Sequence, residues 1–372
     1  MHFTMAKEVF LKGLSRVQGV VEKRNTIPIL SNVLLEANDG EVFLTATDLE
    51  VGIKSCYEAS TLVPGKITVS AKKLYEIVKE LPDEEVSFKT KENCWIEIKS
   101  GKSIFNIVGL SAEEFPFFPE PNRESSIEIE SSVIQEMIEK TSFSMSQDES
   151  KYNLNGIYFK FVEENQNSYL RLVATDGHRL ALIQKQLKTS TAAQLEKGII
   201  FPRKGIFELK KIAEDGEGIV NLYFHENIAI ILKGKTVVTM RLVDGEFPDY
   251  NRVIPKMNEH IAVIKRDTFF HALRRMLVVS SEKSRGVKIV IKKDTLELSS
   301  SNPELGEARE DLDVSYDGPD ITIGFNARYL IDILQGQDDE NIRFMIRDNL
   351  SPGMIRSEHG EDFLAVVMPM RI

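Results

Sequence analysis

Six stretches of the chain repeat apolar residues at the three- and four-residue spacing of an amphipathic helix. They are "TMAKEVFLKGLSRVQGVV", "VSAKKLYEIVKEL", "ESSVIQEMIEKTSF", "FPRKGIFELKKIA", "IKRDTFFHALRRMLVV" and "FNARYLIDILQG". Phe10, Leu14, Val17 and Val21 mark one face of the first, and Ile206, Leu209 and Ile212 one face of the fourth. Most openings follow a Thr, Ser, Asp or Asn able to cap free N–H groups. Between the helices, apolar and polar residues alternate with the period of half-buried strands. The order is regular: a short strand, a helix of about three turns, then three strands. A helix with an apolar stripe has to lie on a sheet. The pattern therefore predicts an α+β chain of six helices and about eighteen strands in antiparallel sheets.

Half-units pair into a longer repeat. Thr47-Asp48 in "LTATDLEVGI" is echoed 128 residues later by Thr175-Asp176 in "LVATDGHRLAL", and more weakly by Ser301-Asn302. Each repeat closes on an aromatic or Met followed by proline: Phe115-Pro116, Phe247-Pro248 and Met368-Pro369. A solenoid repeat runs to about 20–50 residues, so this period is that of a whole domain, about 100–150 residues. Three domains are expected, at 1–121, 127–253 and 259–372. Pro119–Ser126 and Asn251–His260, rich in proline and polar residues, read as the linkers between them.

Composition adds little except through charge. Among 372 residues, 42% are hydrophobic and 28% charged, which is ordinary for packed domains. Only Cys56 and Cys94 are present, with no metal-ligand spacing, so a reducing cytoplasmic setting is expected. No stretch has the roughly 20 apolar residues of a membrane helix, and the first residues show no signal-peptide core. The net charge of −10 argues against a nucleic-acid partner until its distribution is examined. Over the predicted helices (Met5–Arg24, Ala71–Glu80, Ser132–Lys140, Pro202–Lys211, Lys265–Arg275 and Asn326–Gly336) the net charge is +9, leaving −19 elsewhere. Basic helices set against acidic sheets and loops would form one surface suited to a polyanion, whereas any one charged helix face can be merely solvated.

Two features invite a catalytic reading. Asp176-Gly177-His178-Arg179 could be a hydrolase or nuclease cluster working with a metal, but among His2, His178, His225, His260, His271 and His359 no two have metal-ligand spacing on one element. "SGKS" (Ser100–Ser103) suggests a phosphate loop, yet Ile96 stands where the first glycine is required. Asp-Gly is a common turn, and its echo at Thr47-Asp48 favours a structural one.

The chain resembles, along its whole length, the bacterial DNA polymerase III beta subunit, the replicative sliding clamp. The matching segments, in order, are "TIPILSNVLL", "LTATDLE", "FSMSQ", "LNG", "VATDGHRLAL", "PRKGIFEL", "LVDGEFPDYNRVIP", "EKSRGV", "SNPE", "GFNARYL" and "VVMPMRI". The resemblance implies three DNA-clamp domains per chain and a head-to-tail homodimer. Sheets would lie outside the resulting ring and helices inside, around duplex DNA. It implies no catalysis and no cofactor. Implied partners are DNA without sequence preference, a clamp loader, the polymerase catalytic subunit, other polymerases and repair proteins.

Residue by residue, it places DNA contacts at Arg24, Lys72, Asp148, Tyr152 and Asn153, although Asp148 carries a charge that opposes phosphate and Tyr152 could instead pack locally. It places a client-peptide pocket at Leu154, Thr175, Gly177, His178, Arg179, Leu180, Pro248, Arg252, Val253, Asn326, Tyr329, Val366, Met368, Pro369, Met370 and Arg371. Arg179, Arg252 and Arg371 are expected to rim it, and the two methionines to give a soft apolar surface. The ring seam would set Lys73, Phe105 and Ile107 against Val278 and Val279. A repeat scaffold that never closes is the remaining alternative.

Overall fold

The structure, a computed structural model, describes residues 1–21, 27–82, 84–120, 126–187, 195–255 and 260–371. Among the described residues the six α-helices are α1 (Lys7–Val17), α2 (Ala71–Glu80), α3 (Ser131–Ser142), α4 (Arg203–Glu214), α5 (Arg266–Val279) and α6 (Ala327–Gln335). Twenty-five strands surround them among the described residues. Each half-unit supplies four, counting its leading strand, and Ser60–Val63 is the extra one. The expectation of about eighteen was thus too low: each leading strand joins the sheet of the other half-unit in its repeat, as Ile127–Glu130 pairs with Ile219–His225 and Ile199–Pro202 with Gly156–Glu164.

The strands form four sheets, and every named ladder is antiparallel. A five-stranded sheet runs Ser60–Val63, His2–Ala6, Glu85–Thr90, Trp95–Ser100, Ser103–Val108. An eight-stranded sheet runs Ile127–Glu130, Ile219–His225, Ile228–Lys233, Thr236–Arg241, Val51–Glu58, Glu41–Thr47, Asn32–Asn38, Gly65–Ser70. A second eight-stranded sheet runs Ile199–Pro202, Gly156–Glu164, Asn167–Thr175, Arg179–Gln186, Phe363–Val367, Gly353–Ser357, Asn341–Ile346, His260–Lys265. A four-stranded sheet runs Gly306–Asp313, Thr295–Asn302, Gly286–Lys292, Ile321–Asn326.

The two long sheets explain a feature that the repeat conceals. By its contacts the chain divides into two compact units, Met1–Ser132 with Lys204–Leu242, and Val133–Arg203 with Val243–Ile372. The division passes through the central repeat. In the first unit Val51 pairs with Met240, and in the second Arg179 pairs with Val367, so half of one repeat shares a ladder with half of the next.

Helix starts also differ from expectation. Ser70 caps α2 by accepting from the Lys73 N–H, and Asn326 caps α6 by accepting from the Arg328 N–H at 2.9 Å. Ala6 before α1 and Lys265 before α5 offer no side-chain cap. There a strand runs straight into the helix, and a distant carbonyl takes the first N–H. Lys7 N–H donates to Glu84 O at 3.3 Å and Arg266 N–H to Glu340 O at 2.9 Å. The same device serves Ser131 (Gly218 O), Arg203 (Asn155 O) and Ala327 (Arg285 O). It satisfies an orphan donor as a capping side chain would.

Helix ends change the charge count. Helix α1 runs over Lys7–Val17, and Lys23 and Arg24 lie outside the described residues; Lys265 precedes α5, and α4 extends to include Glu214. The observed helices carry +6, not +9. Several of their cations are already paired. Arg16 and Lys12 both meet Asp215, Lys211 meets Glu208 at 2.6 Å, and Arg275 meets Glu310.

Each core is apolar and aromatic. In the first repeat Phe3 stacks on Phe88 at 5.0 Å, and Phe10 of α1 meets Phe3 edge-on at 5.9 Å, joining helix to sheet. In the third, Phe344 lies 6.2 Å from Phe269 of α5 and 5.8 Å from Phe325. Fully burying one such ring is worth roughly 1.5–3 kcal/mol.

Candidate functional site

The Thr-Asp echoes are one turn built twice. In the second repeat the Thr175 hydroxyl donates to Arg179 O at 2.6 Å and accepts from Gly177 N–H at 3.1 Å. Asp176 Oδ1 accepts from the N–H groups of His178 at 2.9 Å and Arg179 at 3.0 Å. In the first, Thr47 donates to Val51 O at 3.1 Å and accepts from Leu49 N–H at 3.0 Å. Asp48 Oδ1 there accepts from Glu50 N–H at 2.9 Å and Val51 N–H at 2.7 Å. The middle residue is left-handed in both, Leu49 at φ 78° and Gly177 at φ 92°. The second carboxylate oxygen holds a cation each time: Lys204 on Asp48, and Arg179 Nε on Asp176 at 3.1 Å.

This turn sets one wall of a cavity of about 130 Å³. Its lining is Leu154, Thr175, Gly177, His178, Arg179, Leu180, Pro248, Asp249, Tyr250, Val253, Val366 and Met368. Leu180 and Val366 are register partners on adjacent strands, and both belong to a buried cluster with Val173, Leu182, Tyr250, Met354 and Leu364. Phe247 stacks on Tyr158 at 4.8 Å and packs against that cluster, which positions Pro248. Met368 N–H donates to His178 O at 2.9 Å, holding the C-terminal segment against the turn. The result is an apolar recess with a 39% exposed methionine at its mouth.

Ten of the expected pocket residues thus come together, and six line elsewhere or not at all. Arg252 is exposed and forms an ion pair with Asp249 at 3.0 Å. Asn326 caps α6, and Tyr329 lies under the Arg179 guanidinium at 4.5 Å. Met370 and Arg371 line a different groove, and Pro369 lines neither. Asp249 and Tyr250 were missed. The pattern of Phe-Pro followed by an aromatic, Phe247 to Tyr250, was their only signal. Asn251–His260 is also more than a linker, because Tyr250–Arg252 form a short 3₁₀ turn and Ile254 packs on the buried cluster; 256–259 lie outside the described residues.

Arg179 departs most from expectation. It is 9% exposed, and its donors go to Asp176, to Asp332 at 2.7 Å and to Phe143 O. Its guanidinium is committed to the fold and does not project as a rim group. The hydrolase reading loses its carboxylate for the same reason, since Asp176 is spent on the turn and on Arg179. Among the described residues no group of three His, Cys, Asp or Glu could hold a metal.

Of the expected DNA contacts, Arg24 lies outside the described residues. Lys72 is exposed on α2, 3.8 Å from Glu76. Asp148 is exposed, and its carboxylate accepts from the Ser150 hydroxyl and the Ser150 N–H, which holds it below the usual carboxylate range. Tyr152 is 60% exposed beside Gly245, and Asn153 donates to Glu246 O at 3.1 Å. Of the seam residues, Phe105 and Ile107 sit on Ser103–Val108, the last strand of the five-stranded sheet, where Ile104, Phe105 and Val108 are exposed. Lys73 is exposed on α2, paired with Glu76 at 2.9 Å. Val278 is 76% exposed at the end of α5, with Val279 half-buried beside it.

Six half-units of strand, helix and three antiparallel strands, with the Thr-Asp turn in the first and second repeats, define the clamp class of protein. Family models match residues 1–119, 128–249 and 251–371 as the N-terminal, central and C-terminal domains of the DNA polymerase III beta subunit. The chain belongs to that family. Similar proteins include the beta sliding clamps of Pseudomonas putida, 38% identical, and Escherichia coli K12, 35% identical, each aligned over the whole of both chains. Among solved structures, the Caulobacter crescentus beta sliding clamp superposes with a TM-score of 0.94 at 38% identity. The Bartonella birtlesii DnaN clamp bound to griselimycin does so at 0.95 and 37%, and both matches cover all of each chain. Clamps of this family are non-catalytic processivity factors, and the chain is not an enzyme. Among the described residues no helix is long and apolar enough to cross a membrane.

Proposed function

We propose that the chain is a processivity clamp of bacterial DNA replication: two copies join head to tail into a ring around duplex DNA, with domains at 1–121, 127–253 and 259–372. The recess walled by the Thr175–Leu180 turn and Met368 carries the client half of this reading. It is small, apolar and lined by a flexible thioether, the kind of surface that accepts different hydrophobic anchors. Clients are the polymerase catalytic subunit, the loader, other polymerases and repair proteins, each through a short peptide.

Ring closure is supported by two open sheet edges. Ser103–Val108 ends the five-stranded sheet with apolar side chains in solvent, and Gly306–Asp313 ends the four-stranded one. An exposed edge strand invites pairing. Lys73, Phe105 and Ile107 of one copy would meet Val278 and Val279 of the next. Enclosure then replaces affinity, so a net negative protein holds DNA with few phosphate contacts. Arg24 and Lys72 serve as those contacts, and Tyr152 and Asn153 present polar and aromatic groups near Asp148. Such contacts carry no sequence information and weaken with salt, which permits sliding. An ATP-driven loader opens a seam, in the cytoplasm, and the clamp itself hydrolyses nothing.

Fluorescence anisotropy of a labelled client peptide tests the recess. Met368→Glu, a substitution at an exposed residue, should abolish binding and leave the circular dichroism spectrum unchanged. Undiminished binding would remove the recess from client recognition.

A further inference from the structure

A second depression lies beside the first, and the segment Met368–Arg371 touches both. Its volume is about 620 Å³, and Met370 and Arg371 line it together with the loop after α5 and one face of the four-stranded sheet. Met370 N–H donates to Gly324 O at 2.8 Å, so the segment lies along the outer strand of that sheet. From there the ladder registers run across the strands in one row: Gly324 opposite Lys288, Lys288 opposite Ser299, Ser299 opposite Arg309.

The chemistry of this groove differs from that of the recess. Lys288 and Arg371 have no carboxylate partner among the described residues, while Arg309 pairs with Glu297 at 2.7 Å. Among the described residues Ser284, Ser299 and Ser301 add hydroxyls that bond no other protein group, and Glu307 is the one carboxylate in the wall. Two uncompensated cations with free hydroxyl donors between them suit a carboxylate.

Resting on the client-peptide reading above, we infer that a client segment continues past the apolar recess along Met368–Arg371, and that Lys288 and Arg371 hold an acidic side chain of it. Neighbouring strands are about 4.8 Å apart, which puts Lys288 about 10 Å from Met370, and Met370 lies about 7 Å along the chain from Met368. An extended peptide covers that distance in about five residues. The acidic residue therefore belongs about five positions from the hydrophobic anchor. It gives the clamp a means of ranking clients whose anchors are alike.

Labelled peptides with one anchor and either Asp or Asn about five residues away, placed on each side in turn, test this by anisotropy at low salt against the native chain and Lys288→Glu. On the native chain one Asp peptide should bind about tenfold tighter than its Asn counterpart. In K288E that advantage should vanish while the Asn peptide binds as before. Equal affinities on the native chain, or an advantage that survives K288E, would overturn the inference. So would a change confined to duplex DNA affinity, which would assign the groove to phosphate. If the Asn peptide fails to bind the native chain, or binds Met368→Glu equally well, the recess reading itself has failed and this inference falls with it.

Discussion

The guanidinium of Arg179 donates to the carboxylate of Asp332 across 2.7 Å, tying the strand Arg179–Gln186 to helix α6. The pair is nearly dry, with side-chain exposures of 8% and 13%. Arg179 also sits between the rings of Tyr329 and Phe143. Without Arg179, Asp332 keeps only Arg328 at 2.9 Å, and the bonds to Asp176 and Phe143 O are lost, at a cost of about 2 kcal/mol. Arg179→Ala should lower the urea midpoint accordingly, and any loss of client binding should track the fraction unfolded. A stable R179A chain that has lost the peptide would instead make Arg179 a direct contact.

Charging the end of α5 should break the assembly. Val278 is in solvent in the single chain, so Val278→Asp costs the isolated fold little, whereas a buried Asp at a seam would lack a partner. Light scattering at sub-micromolar concentration should give twice 42.2 kDa for the native protein and 42.2 kDa for V278D. An unchanged dimer mass would move the seam elsewhere.

Asp148 opposes the polyanion it is proposed to face. Its hydrogen bonds from Ser150 keep it ionised through the physiological range. Asp148→Asn should tighten binding to a short duplex by about fivefold at low salt, an effect that fades as ions screen it. Identical affinities at low salt would place Asp148 away from DNA.

Acid should loosen the first compact unit through Asp215. Burial works against its ionisation, but the Arg16 hydrogen bond and charge, joined by Lys12, outweigh it and hold the carboxyl below its ordinary value. A depressed folded-state value means that the unfolded chain takes up the proton first. The stabilisation is therefore complete above about pH 4 and is lost as pH falls through the folded value. Thermal unfolding of Asp215→Asn should show a shallower fall below pH 4 than the native protein, and parallel curves would exclude Asp215 from acid sensitivity.

Local chemistry was legible in the sequence; long-range closure was not. The Thr47-Asp48 and Thr175-Asp176 turns were readable because these side chains bond their own backbone two to four residues away, so the sequence motif is the structure. The six helices were visible because a one-sided apolar stripe survives any tertiary setting. Their ends were not, since Lys7 and Arg266 are capped by carbonyls 77 and 74 residues distant, at Glu84 and Glu340. Arg179 looked like a rim group because its partners, Asp332 and Phe143, are far along the chain. Tyr250 was not singled out, although it stands in the closing Phe-Pro segment and its ring helps to build the recess. The division through the central repeat followed from ladders such as Val51 with Met240, which alternation predicts as strands without naming their partners.

The central claim is that DNA is held by enclosure. The direct measurement is retention of labelled, loaded protein on a nicked circular DNA during gel filtration, before and after a single cut that makes the circle linear. Topological binding predicts that the protein stays with the circle and is lost once free ends exist. Equal retention on both forms would contradict the ring and leave ordinary phosphate affinity as the basis of binding.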